Sequence, residues 1–174
     1  MNGGCGMKKT IALMVVVMIC FSLSACDPGS FAIDAEALDN VVSVELIEYA
    51  NPNQERFSSW VTDKFDRLLP FIPENATTLA YLPSEKTQAF LEAFSKTDIL
   101  HTYYAYNSPK DVCIKLNYGN GNFLIIWANY KDNSHAGYIG EYASDGAVLS
   151  FWGSFSALRY YEDLVKQFFD YPLE

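Results

Sequence analysis

Basic residues are scarce in this sequence of 174 residues. It has 12 Lys and Arg against 21 Asp and Glu, a formal net charge of −9, and no run of basic residues longer than two. Nucleic-acid binding depends on clustered Lys and Arg that neutralise phosphates, so the composition excludes that class of protein. Half of the residues are hydrophobic and 16% are aromatic, which is enough to form the core of one globular domain.

Long apolar runs are also missing. The apolar segment 11–21 has 11 residues, whereas a transmembrane helix needs about 20. Because Lys8 and Lys9 precede it, the segment has the length and flanks of the hydrophobic region of a secretory signal peptide. Residues 1–6 lack the charge expected at the start of such a signal, so translation begins at either Met1 or Met7.

Leu23, Ser24, Ala25 and Cys26 follow the apolar segment. An aliphatic residue, two small residues and a cysteine in this order resemble the lipobox of bacterial lipoproteins. The resemblance implies that residues 1–26 contain a lipoprotein signal peptide, that Cys26 is acylated, and that a signal peptidase cuts between Ala25 and Cys26. The alternatives are an ordinary cleaved signal with an incidental Cys26, and an uncleaved N-terminal anchor.

Lipidation of Cys26 predicts a mature protein that is anchored in the cell membrane and faces outside the cytoplasm. Two acyl chains give firm anchoring, because each buried CH₂ contributes about 0.8 kcal/mol. Loss of Lys8 and Lys9 with the signal changes the net charge from −9 to −11. Cys5 and Cys20 leave as well, so no disulfide framework or cysteine-based metal site is expected.

The mature chain divides into a short linker and a folded part. Residues 27–40 begin with Asp-Pro-Gly-Ser and have few large apolar side chains, which predicts a tether from the lipid to the domain. The alternative is that residues 35–38 form a helical turn packed on the domain. Residues 41–174 are predicted to form a single α+β domain.

Alternating and β-branched segments predict the strands of this domain, at residues 41–49, 77–82, 99–106, 112–118, 123–130, 137–142 and 147–152. Turn-forming residues separate the last four at hairpin spacing. Segment 123–130 is apolar on both faces, which predicts a central or doubly covered strand. Helices are predicted from Ser84, as the N-cap, to near Lys96, and over residues 154–170. Residues 57–69 fit a short helix, a strand or irregular structure.

These elements predict an α+β fold with an antiparallel β-meander of about five or six strands and two main helices. The chain resembles small, uncharacterised lipoproteins of Firmicutes in the layout of its elements and in two segments, VVSVELIEYANP (41–52) and CIKLNYGNGNFLIIW (113–127). This resemblance covers most of the mature chain. It implies a location and a class of organism, and no activity.

No catalytic or cofactor-binding motif occurs in the sequence, which lacks GxSxG, SxxK and a P-loop. Cys113 lies mid-strand, without the turn or helix N-terminus that activates a thiol, which predicts a small, half-buried side chain. His101 and His135 have no metal-ligand spacing. The 21 acids offer many carboxylate pairs, and spacing identifies none. The sequence therefore predicts no enzyme, no cofactor and no metal site.

Tyrosine is abundant, with 12 residues, and Tyr103, Tyr104 and Tyr106 lie close together in one predicted strand. These three are the candidate ligand-binding residues, because tyrosines on a partly solvent-exposed face of a sheet can stack on sugars or pack against a partner protein. The alternative is that the tyrosines form cross-strand pairs and close the second face of the sheet.

The favoured hypothesis is a membrane-anchored extracytoplasmic lipoprotein that binds an unidentified protein or glycan. The alternatives are an extracytoplasmic hydrolase with an acidic site and a structural accessory subunit of a cell-envelope complex. A flat tyrosine patch would favour binding and a cleft with converging acids would favour the enzyme. A large exposed apolar patch would favour the accessory subunit.

The lipobox leads to a direct prediction for Cys26→Ala. The variant should carry no acyl group and its precursor should stay uncut, because the thiol that receives the lipid is gone. Mass spectrometry of the membrane fraction measures both properties. A mature wild-type N-terminus elsewhere than Cys26, or a Cys26 without acyl mass, would contradict the lipoprotein hypothesis.

Overall fold

The structure, a computed structural model, describes residues 30–33, 35–50, 70–100, 109, 111–128, 136–156 and 158–173. The strands in these ranges are β1 (Ser30–Ala32), β2 (Val41–Tyr49), β3 (Ala76–Tyr81), β4 (Asp98–Leu100), β5 (Asp111–Tyr118), β6 (Phe123–Ala128), β7 (Ala136–Tyr142) and β8 (Val148–Ser156). The helices are α1 (Ala35–Leu38), α2 (Ser84–Ser95) and α3 (Leu158–Phe169), with a 3₁₀ turn at Pro73–Asn75.

The strands form one antiparallel sheet in the order β1-β4-β8-β7-β6-β5-β2-β3. Strands β5 to β8 are a meander, in which each strand pairs with the next one along the chain. The six longer strands are consecutive in the sheet, and the three-residue strands β4 and β1 extend the edge beyond β8. The predicted α+β fold with an antiparallel meander and two main helices is confirmed.

Strand β6 lies near the middle of the sheet and is buried on both faces. Leu124, Ile126 and Ala128 belong to the core on the first face, which also contains side chains of α2 and α3. Phe123, Ile125 and Trp127 belong to a separate core on the second face. The prediction of a central or doubly covered strand is therefore confirmed.

The two main helices cover the first face with aromatic side chains. Helix α2 buries Phe90, Leu91 and Phe94, the predicted stripe, and the Phe90 ring meets Phe168 of α3 edge-on at 5.3 Å. Its N-cap is Pro83, so the predicted N-cap Ser84 is the first helical residue. Helix α3 begins later than residue 154, because β8 continues its pairing with β7 as far as Ser156.

The second face is closed by aromatic residues, among them Phe71, which precedes β3. Its ring stacks on Tyr49 at 4.4 Å and lies 5.8 Å from Tyr142. The Phe71 N–H donates to the Gly146 carbonyl at 2.9 Å, and a Cβ at Gly146 would clash with the Phe71 carbonyl oxygen. Tyr138 stacks on Trp127. For Tyr138 and Tyr142, the alternative that tyrosines close the second face therefore holds.

The N-terminal part of the described chain differs from the predicted tether over residues 27–40. Ser30–Ala32 pairs with β4, and Ile33 and Leu38 are buried in the first-face core. The helical turn named as the alternative is present as α1, Ala35–Leu38. The tether prediction is wrong from Ser30 onward, because burial of two large apolar side chains holds this segment on the domain.

Cys113 lies in β5 and is fully buried, so it is an inward strand residue, more deeply buried than expected. Several predictions lie outside the described residues: Cys26 and the lipobox, residues 57–69, His101, His135, and Tyr103, Tyr104 and Tyr106. Among the helices that the structure describes, none is long and apolar enough to cross a membrane.

Candidate functional site

A cleft of about 430 Å³ opens at the end of the sheet where β5 turns into β6. Its size falls in the range of small-molecule sites. The lining combines α1 and the residues after it, the β5–β6 turn, and the neighbouring strands β7 and β8. The lining residues are Ala37, Asn40, Tyr118, Gly119, Asn120, Glu141 and Trp152.

The carboxylate of this cleft comes from an unusual position in β7. Side chains alternate along a strand, and Glu141 is opposite Leu124 of β6, as Ile139 is opposite Ile126. Leu124 and Ile126, the two β6 residues, both belong to the first-face core. Glu141 is therefore an acid on the face that the helices cover elsewhere, and it remains partly exposed to solvent.

Two donors from β8 fix the Glu141 carboxylate. The Ser150 hydroxyl donates to Oε2 at 2.8 Å and the Trp152 indole N–H donates to the same oxygen at 3.2 Å. The pairing of β7 with β8 shifts register on both sides of Glu141, and Gly153 beside the first shift has φ +136°, which residues with a Cβ rarely adopt. Within the described residues, neither of these hydrogen bonds involves Oε1.

Tyr118, at the end of β5, lines the same cleft. Only 8% of its surface is exposed, and its hydroxyl has no hydrogen-bond partner among the described residues. Burial, together with the negative charge of Glu141, raises the pKa of Tyr118. The phenol therefore stays protonated at neutral pH. A buried hydroxyl without a partner costs about 1–3 kcal/mol. Three other described residues have a buried polar atom in the same state, and Tyr118 is the one of the four that lines this cleft.

The β5–β6 turn holds one wall of the cleft in place. The Tyr118 N–H donates to the Asn122 carbonyl at 2.9 Å, and the Gly119 N–H donates to the Asn40 carbonyl at 3.1 Å. The Asn122 N–H donates to Asn120 Oδ1 at 3.0 Å. Among the described lining residues, Glu141 is the sole charged side chain. The cleft is therefore a fixed polar site with one negative charge.

A second polar cluster surrounds Glu45 on the second face. Thr78 donates to Glu45 Oε2 at 2.8 Å, and Asn117 and Lys115 bind Oε1 at 2.9 and 3.0 Å. Burial alone would raise the pKa of Glu45, but these hydrogen bonds and the Lys115 charge together hold it below its ordinary value. Both oxygens are occupied, so the cluster is a structural ion pair and not a ligand site.

Sequence reasoning missed the residues of the cleft. Tyr118, Glu141 and Trp152 all lie in predicted strands. Tyr118 belongs to the abundant tyrosines of the sheet but is not among the three candidate ligand-binding residues, and the sequence does not single out Glu141. One signal was available: Glu141 is two residues after Ile139, a core position, so both side chains lie on the same face of the strand.

Within the described ranges, no group of three or more His, Cys, Asp or Glu is arranged to hold a metal ion.

Comparison with known proteins gives no relative for this chain. No protein-family model matches it, and neither does any curated protein or any solved structure. Function therefore has to be argued from the residues of the cleft themselves.

The unpartnered hydroxyl leads to a prediction with a matched control. Tyr118→Phe should leave the free energy of unfolding unchanged or raise it by about 1 kcal/mol, because it removes a buried group without a partner. Tyr161→Phe should lower it by about 1–2 kcal/mol, because the Tyr161 hydroxyl donates to the Val112 carbonyl at 2.7 Å. Urea denaturation measures both. Destabilisation of equal size in the two variants would show that the Tyr118 hydroxyl has a structural role.

Proposed function

We propose that this protein is an extracytoplasmic lipoprotein, anchored in the cell membrane through acylated Cys26, whose α+β domain binds a small polar ligand. The proposed site is the cleft lined by Tyr118, Glu141 and Trp152. The observation that carries this proposal is the pairing of an oriented carboxylate with a buried phenol that has no partner. Native proteins satisfy most buried polar groups, and Tyr118 carries such an unsatisfied group in the lining of a cleft.

Binding explains the cleft better than hydrolysis does. Hydrolysis by paired carboxylates needs two acids about 5–10 Å apart. Glu141 is the one carboxylate among the described residues that line the cleft, and the two donors on its Oε2 orient it as an acceptor. A single fixed acceptor beside a phenol and an indole ring is suited to recognition.

The membrane part of the proposal rests on the lipobox and on the start of the fold. Strand β1 begins at Ser30, four residues after Cys26. Four residues span at most about 14 Å when extended. Acylation at Cys26 would therefore hold the domain, with its β1 edge, close to the membrane surface.

The proposed function predicts ligand-dependent stabilisation. The full chain, in a non-ionic detergent, is heated with a panel of amino acids, organic amines and small sugars. A compound present at about tenfold its Kd should stabilise the fold by about 1.4 kcal/mol, which raises Tm by roughly 3–6 °C in a chain of this size. Glu141→Gln should lower or abolish the shift, because it removes the fixed negative charge.

The matched control is Glu48→Gln, which removes the same charge from an exposed position near the far end of β2. This variant should keep the full Tm shift. The proposal fails if no compound in the panel stabilises the wild type, or if every shift is the same in Glu141→Gln as in the wild type.

A further inference from the structure

We infer that the ligand of this cleft is cationic and presents an organic ammonium group to Glu141. The inference rests on the proposed function, because it assigns a chemical class to the ligand of the same site. It comes from the charge of the cleft, from the set of hydrogen-bonding atoms that line it, and from its aromatic residues.

No cationic side chain among the described lining residues balances the charge of the cleft, since Lys, Arg and His are absent from them. Glu141 is partly buried. Its hydrogen bonds within the described residues come from two neutral donors, Ser150 and Trp152. By contrast, the buried Glu45 has Lys115 at 3.0 Å. The whole chain has a net charge of −9, so its field also attracts cations and repels anions.

The atoms that line the cleft fit the donors of an ammonium group. A primary ammonium has three N–H donors and no acceptor. Both hydrogen bonds to Glu141 within the described residues are made to Oε2, so Oε1 accepts none there. The Tyr118 hydroxyl also has no partner there, although it is buried. Oε1 is therefore the acceptor that an ammonium group would bind.

The aromatic rings favour the same ligand class. Trp152 and Tyr118 both line the cleft, and the faces of indole and phenol rings attract organic cations. The Trp152 N–H is already bound to Glu141, which fixes the ring beside the carboxylate. A neutral ligand would use the rings and the asparagines but would leave the carboxylate charge without a counterion.

The test compares amines with neutral counterparts of similar size. The full chain, with ¹⁵N-labelled tryptophan, has three indole N–H signals by NMR, one each for Trp60, Trp127 and Trp152. Loss of one signal in Trp152→Phe assigns the signal from the cleft. The probes are n-butylammonium against n-butanol, and protonated glucosamine against N-acetylglucosamine.

The inference predicts that both amines shift the Trp152 signal saturably and that their neutral counterparts bind at least about tenfold more weakly. Added salt should weaken amine binding. Glu141→Gln should lower the amine affinity about tenfold, while Glu48→Gln leaves it unchanged. Far-ultraviolet circular dichroism verifies that each variant is folded.

Two outcomes would overturn the inference. If the neutral probes bind as tightly as the amines, the ligand is not cationic, although the cleft remains a binding site. If none of the four probes shifts the Trp152 signal, the ammonium assignment is wrong. The proposed function is then tested by the thermal measurements with amino acids, organic amines and small sugars. The two claims are therefore tested separately.

Discussion

The fold depends on burial of β6 from both sides. All six of its residues, Phe123–Ala128, are buried, so each face of the sheet needs its own apolar cover. Helices α2 and α3 supply much of it on the first face, and aromatic side chains such as Phe71 and Tyr142 supply it on the second. Burying a large apolar side chain contributes about 1.5–3 kcal/mol, so burial of this strand contributes substantially to the stability of the fold.

The carboxylates on the two faces of the sheet have different hydrogen-bond partners. Glu45 on the second face is neutralised by Lys115 and by two neutral donors, as expected for a buried carboxylate that serves the fold. Within the described residues, Glu141 on the first face is oriented by two neutral donors, and it stays partly exposed. Glu45 is therefore a structural carboxylate, whereas Glu141 is positioned for a ligand. The strands of the meander hold Glu141 in place.

Much of the fold was predictable because its signals are local. The alternation of β2 and β5 to β8, the turns between the last four strands, and the aromatic stripe of α2 depend on residues near one another in the chain. The pairing of β1 with β4 was not predictable, because it joins short segments about 70 residues apart. The end of β8 was misplaced because its pairing with β7 overrides the helical pattern at Ser154–Ser156.

The candidate site was harder to predict than the fold. Its residues come from separate parts of the chain, Ala37 to Trp152, and only the sheet brings them together. The tyrosines chosen from the sequence, Tyr103, Tyr104 and Tyr106, lie outside the described residues. Tyr118 lies in a predicted strand, but nothing in the local sequence distinguishes it from the other tyrosines of the sheet or shows that its hydroxyl lacks a partner.

Double burial of β6 should make the centre of the sheet, including the β7–β8 pairing at Glu141, the most stable part of the domain. Native-state hydrogen exchange, resolved by residue, measures this. We expect amides of β6 and those paired around Glu141 to exchange only through global unfolding, while β1 and β3 at the edges exchange faster. Exchange of the β6 amides as fast as those at the edges would contradict it.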